Sequence, residues 1–155
     1  MTERSYHENE YAARFADVEE NLKRIREGIA RTAEKSGRRP EDITLLAATK
    51  TVPVEVINHA IHLGVRQIGE NRVQELCEKF DRLDLEQCGC QFIGHLQTNK
   101  VRQLIGKVSM IQSVDSMKLA QEISRQCVQR GTSMDVLVEV NIGREENKSG
   151  VDPDG

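Results

Sequence analysis

A chain of 155 residues with 22 basic and 25 acidic side chains, formally −3 and 37% hydrophobic, suits one domain with its own core. That balance argues against a nucleic-acid-binding face, which wants a basic bias, and the 3% aromatic content supplies no stacking platform for single strands. No apolar run approaches the roughly 20 residues of a membrane helix, and the polar N-terminus is no secretory signal, so Cys77, Cys88, Cys90 and Cys127 are expected as reduced thiols of a cytoplasmic protein.

The first element is a long amphipathic helix over residues 8–36, with Val18, Leu22, Ile25 and Ile29 on one stripe. Gly37 is placed to end it, and Pro40 prevents it from resuming. From Ile43 the run Ile43-Thr44-Leu45-Leu46-Ala47-Ala48-Thr49 is apolar on consecutive residues and stops at Lys50, which fits a strand of a parallel sheet covered on both faces. Pro53 opens a helix burying Val56, Ile57, Ala60 and Ile61, closed by Gly64. The unit then repeats. A strand over 65–68 leads into Gly69-Glu70-Asn71 and a helix over 72–83. A strand over 90–93 leads into Gly94-His95 and a short helix over 98–105. A strand over 108–112 leads into Ser113-Val114-Asp115, where Asp115 or Ser116 can cap a helix burying Leu119, Ala120, Ile123 and Cys127. A fifth strand over 134–140 ends in Asn141, followed by a polar, glycine-bearing stretch.

An initial helix followed by β/α units from residue 43 onward indicates an α/β fold with a parallel sheet and helical crossovers. A flavodoxin-like doubly wound sheet matches the strand count, but no Gly-rich phosphate loop follows the first strand. Polar residues instead gather after every strand, at Lys50, Asn71, His95, Asp115 and Asn141, which is the pattern of a (β/α)8 TIM barrel. Eight strands need roughly 250 residues, so residues 1–155 are expected to form a single, incomplete barrel of about five units, the N-terminal portion of a longer protein.

Lys50 is the residue with the most chemistry. Strand C-termini are where both architectures bind ligands, and a lysine on an apolar floor loses its proton readily and can attack a carbonyl to form a Schiff base. The plain alternative is a lysine that closes a strand and reaches into water. Asn71 can hydrogen-bond a ligand or cap the helix that follows. His95 can do the same or satisfy its own loop. Lys100 and Lys148 can attract an anionic partner, although exposed lysines commonly do nothing measurable. Glu70 stands beside Asn71 with no role readable from the sequence. No metal site is expected: Cys88-Gly89-Cys90 lacks zinc-knuckle spacing, and His59 and His62 have no third ligand at a telling distance.

Leu45-Leu46-Ala47-Ala48-Thr49-Lys50-Thr51, Gly69-Glu70-Asn71-Arg72-Val73-Gln74-Glu75, Phe92-Ile93-Gly94-His95-Leu96-Gln97-Thr98-Asn99-Lys100, Ser113-Val114-Asp115-Ser116 and Val140-Asn141-Ile142 with Lys148-Ser149-Gly150 together resemble the pyridoxal phosphate homeostasis protein family. The resemblance implies a barrel similar to the N-terminal domain of fold-type III enzymes such as alanine racemase. It implies pyridoxal 5′-phosphate (vitamin B6) as cofactor, joined to Lys50 through a Schiff base, with Asn71 beside the ring and His95 and Asn141 lining the pocket. It departs from the family at Cys90-Gln91, where Trp-His is common. The family's phosphate-holding serine, glycine and threonine groups, and the arginine facing the pyridine nitrogen, come from later strands than these.

The resemblance leads to a binding protein that holds pyridoxal phosphate and supplies apo-enzymes requiring it, with no catalytic residue assigned. The alternative is a fold-type III enzyme such as an amino-acid racemase, which needs acid and base groups on opposite faces of the cofactor. Its second group would be a tyrosine, and the only tyrosines are Tyr6 and Tyr11. A Schiff-base aldolase uses the same kind of lysine and would take no pyridoxal phosphate.

Overall fold

The computed structural model describes residues 11–154; Tyr6 and the start of the expected first helix lie outside them. Helix α1 spans Ala12–Lys35. It ends in a Schellman arrangement: Gly37 adopts φ 70°, the Gly37 N–H donates to the Glu34 carbonyl (3.1 Å) and the Arg38 N–H to the Ala33 carbonyl (2.9 Å), so two carbonyls of the last turn are satisfied. Its stripe is only partly used. Leu22 is buried and Val18 packs on the core, whereas Ile25 is 41% exposed.

Five strands follow, β1 (Leu46–Ala48), β2 (Gln67–Glu70), β3 (Gly89–Phe92), β4 (Met110–Val114) and β5 (Asp135–Val138). Between them run α2 (Val54–His62), α3 (Val73–Lys79), α4 (Val101–Leu104) and α5 (Met117–Arg130). All neighbours pair parallel in the order β1-β2-β3-β4-β5. A doubly wound sheet reverses its strand order at a switch point; this sheet never does. A helix N-terminal to each of the last strands carries the chain one place along, always in the same sense.

One sheet face is closed by the helices. Ile68, Cys90, Phe92 and Ile111 point into a core with Ile57, Leu76, Val101, Leu104 and Leu119, all nearly inaccessible. Period-two alternation sends Gln67, Gln91 and Gln112 to the other face. There the Gln91 Nε2 amide donates to Gln67 Oε1 (2.9 Å) and the Gln112 amide donates to Gln91 Oε1, a ladder of side-chain amides across three strands. Higher on that face Gly69 leaves room for Leu46 and Ile93, whose side chains would lie 2.7 and 2.8 Å from a Cβ there. The expected strand covered on both faces is therefore corrected. Leu46 and Ala47 are half-buried and Ala48 is exposed, because helices cover only one side of the described sheet.

Candidate functional site at the carboxyl edge of the sheet

The β1–β2 register pairs Ala48 with Gly69, and the Thr49 N–H still donates to the Gly69 carbonyl (3.0 Å). Lys50 and Asn71, two residues further on each strand, thus leave the sheet side by side. Continuing the alternation of β1 and β2 past their last residues gives both the parity of Ala48 and Gly69, that of the face without helices. The third exit is locked to the second. The Ile93 N–H donates to the Glu70 carbonyl (2.9 Å), and Gly94 lies so close to Asn71 that a Cβ would overlap the Asn71 carbonyl oxygen and sit 2.7 Å from its Cα. Only glycine allows that approach.

Lys50 itself is exposed, not sunk on an apolar floor; the uncovered face leaves it in water. Asn71 is half-buried, and its amide oxygen is buried with no hydrogen-bond partner. Asn71 is also not the helix cap. The cap position of α3 is Arg72, with no side-chain cap bond. A buried, partnerless polar atom at a strand end is the kind of group a ligand satisfies. Ser113 Oγ of β4 is in the same condition.

His95 and Asn141 reach the same edge and are engaged elsewhere. His95 Nδ1 lies 3.2 Å from Asp115 Oδ2 and 3.4 Å from Ser149 Oγ. A Ser-His-Asp relay needs the hydroxyl and the carboxylate on opposite ring nitrogens, so this trio does not activate the serine. Its effect is to tie the β3 and β4 exits to the loop after β5. The Asn141 Nδ2 donates to the Glu145 carbonyl (2.9 Å), its Oδ1 accepts from the Glu145 N–H (3.2 Å), and its backbone N–H donates to the Val151 carbonyl (2.9 Å). The Asn141 amide thus folds the 141–151 loop back on itself. Ser116 is the cap of α5, its Oγ accepting from the Leu119 N–H (3.3 Å), and its hydroxyl donates to Asp115 Oδ1 (3.1 Å), leaving Oδ2 to His95.

A second polar cluster lies at this edge on the helix side. Glu70 is wholly buried and Thr49 nearly so. The Thr49 hydroxyl donates to Glu70 Oε1 (2.6 Å). Lys79, at the end of α3, donates to Glu70 Oε1 (3.4 Å), to Glu75 Oε1 (2.5 Å) and to the Thr49 carbonyl (3.2 Å). Glu75 in turn accepts from the Thr51 N–H (2.6 Å). Burial pushes the Glu75 carboxyl upward, but the bonds from Lys79 and Thr51, with the charges of Lys79 and Arg72, bring it below its ordinary value. Beneath Glu70, Cys90 is pushed up to about 12, first by burial, then by the Glu70 charge and by Cys88, which favours the thiol over the reactive thiolate. Among the described residues no group of three or more His, Cys, Asp or Glu is placed to hold a metal ion, and no helix is long and apolar enough to cross a membrane.

Thr49, Thr51, Glu75 and Lys79 were not singled out by the sequence, and Glu70 was singled out without a role. Glu75 and Lys79 read as an ordinary i,i+4 ion pair on a solvated helix face. The signal that marks them is position, since they follow Gly69-Glu70-Asn71 within one short helix.

No family model matches the chain. Curated relatives do. The chain is 45% identical over 135 residues to a pyridoxal phosphate homeostasis protein of Aquifex aeolicus and 38% identical over 138 residues to that of Escherichia coli. In both cases the match covers 87% of this chain and 59% of the relative, so the chain spans about three-fifths of their length. Among solved structures, a protein from Bifidobacterium adolescentis superposes with a TM-score of 0.85 at 40% identity, covering 92% of this chain and 62% of that one. PipY of Synechococcus elongatus, solved with pyridoxal phosphate bound, superposes with a TM-score of 0.68 at 34% identity, covering 81% of this chain and 59% of that one.

Proposed function

We propose that this chain, a relative of the pyridoxal phosphate homeostasis proteins, is the first arc of a (β/α)8 barrel that binds pyridoxal 5′-phosphate through Lys50 and serves its intracellular supply. The observation that supports the reading is that β1 and β2, the strands preceding Lys50 and Asn71, are paired neighbours, in a chain 34% identical to a protein solved with this cofactor. When bound, the cofactor supplies an aldehyde that a primary amine can capture. Lys50 offers that amine. Lys50 would hold the cofactor by condensing with that aldehyde, a step that needs no oxidant or reductant.

The residues present fit the aldehyde and ring end of such a molecule. Asn71 brings an amide whose oxygen lacks a partner, and Gly94, packed directly on the Asn71 backbone, fixes where that amide stands. The phosphate end is assigned to chain beyond the fifth unit, since barrels usually hold phosphate after their last two strands. His95 and Asn141 are assigned to the pocket wall, His95 by its place between the β3 and β4 exits and Asn141 by the loop it shapes. The reading is one of holding and delivering the cofactor to apo-enzymes in the cytosol, without turnover of an amino acid.

The test uses the full-length protein. Added pyridoxal phosphate is expected to give the visible absorption of a Schiff base, and borohydride to fix the label on the peptide bearing Lys50. Lys50→Ala should abolish both. A label retained in that variant would end the proposal.

A further inference from the structure

We propose that Glu75 and Lys79 of α3 are positioning residues for Lys50, clamping the backbone on either side of it so that its amine is presented over the open sheet face. The inference rests on the Schiff-base reading of Lys50 given above and assigns residues that the reading does not use.

Lys50 sits in a turn whose two flanks are both tied to α3. On the N-terminal flank, the Thr49 carbonyl accepts from Lys79 Nζ (3.2 Å) and the Thr49 hydroxyl donates to Glu70, which Lys79 also contacts. On the C-terminal flank, the Thr51 N–H donates to Glu75 (2.6 Å), which accepts from the same Lys79 (2.5 Å). A single ammonium thus organises both anchors. Their side chains are largely sheltered, 13% exposed for Lys79 and 19% for Glu75, unlike a solvated surface pair that swings freely.

Thr51 shows what the clamp does. It adopts φ 60°, a left-handed conformation that a β-branched residue avoids and that persists only where the surroundings impose it. Its N–H is aimed at Glu75 in that conformation. The reversal turns the chain sharply after Lys50, with Thr49 buried on one side of it and Lys50 left exposed. Without the clamp, the turn would relax into the extended or right-handed regions and carry the Lys50 side chain with it. The depressed carboxyl of Glu75 fits the same arrangement, because the group is held ionised to accept from both donors.

The experiment compares Glu75→Ala and Glu75→Gln in the full-length protein, mixing each with pyridoxal phosphate and following Schiff-base absorption in time. Losing a charge-assisted bond to Thr51 should slow condensation about tenfold in Glu75→Ala. Glu75→Gln keeps an oxygen that accepts from Thr51 N–H and should stay within about threefold of the parent. Affinity for pyridoxine phosphate, in which an alcohol replaces the aldehyde, should be unchanged in both variants, since positioning the amine does not touch ring or phosphate. Condensation at the parent rate in Glu75→Ala, or analogue affinity falling in step with it, overturns the positioning role. Lys50→Ala is run alongside. If that variant still takes a borohydride-fixed label, the Schiff-base reading itself has failed and the clamp falls with it; if the label is lost while Glu75→Ala reacts normally, only the clamp is wrong.

Discussion

At the scale of single residues, the edge of the sheet separates groups the sequence could place from groups it could not. Lys50 and Asn71 were legible because an apolar run that stops on a polar residue fixes a strand end, and strand ends of parallel neighbours stand together. The desolvation expected for Lys50 was not legible, since it depends on what covers the far face. Asn141 was legible as a strand exit, but its amide is taken up by its own loop. Glu75 and Lys79 were hidden by their helical spacing, and only the packing of α3 against the β1 and β2 exits turns them inward. Their burial has a consequence in acid. Glu75 has a folded-state value below its ordinary 4.5, so the unfolded chain binds the proton more readily as the pH falls. Its contribution is present above 4.5 and lost as the pH drops through the lower folded value. Glu122, held at about 2 by its bonds from Arg125 and Gln126, titrates in the same direction but is unaltered by a change at Glu75. The thermal midpoint of Glu75→Gln should therefore fall less steeply than that of the parent as the pH drops through this range. Parallel midpoint curves for the two proteins would show that Glu75 contributes nothing.

At the scale of elements, helices were read closely and strands were displaced. The faces of α2 and α5 match the expected residues, with Ile57, Ile61, Leu119, Ile123 and Cys127 buried. The strands expected over 65–68 and 108–112 form two residues later, as Gln67–Glu70 and Met110–Val114. The reason is physical. Val65 and Val108 are buried beneath helices before the ladder begins, so their apolar character marks core and not pairing. Glu70, conversely, belongs to β2 although it is charged: Lys79 and Thr49 satisfy its Oε1, while its Oε2 is buried without a partner. The helix termini carry their own stability. Ser116 is the described helix cap whose side chain accepts from the first turn, and Ser116→Ala should cost about 1 kcal/mol. Phe92, fully buried on β3, should cost roughly 3–5 kcal/mol when cut to alanine. Denaturant midpoints of the two variants measure the contrast; equal losses would mean that β3 does not carry the core as described.

At the scale of the molecule, the sequential sheet leaves two outer strands with one neighbour each, β1 and β5. β5 is the more vulnerable. Val136, Leu137 and Val138 are 41%, 49% and 60% exposed, and Val140 and Ile142 beyond them are also open. No helix among the described residues covers them, whereas α2 to α5 shield β2 to β4. An apolar strand with unpaired N–H and C=O groups is a template for another chain. In the relatives, about two-fifths of the length lies outside the match, and the proposed function assigns the covering strands and the phosphate site to it. The 155-residue chain by itself should therefore associate through β5 and bind pyridoxal phosphate weakly. Sedimentation should show mass rising with concentration, and Leu137→Lys, which places a charge on the open edge, should shift the protein toward monomer. Leu137 faces no residue of the edge cluster around Lys79, so Schiff-base formation, however weak, should survive the change. A monomer at all concentrations, melting in one sharp transition, would mean that this sheet of five strands is stable with both edges open.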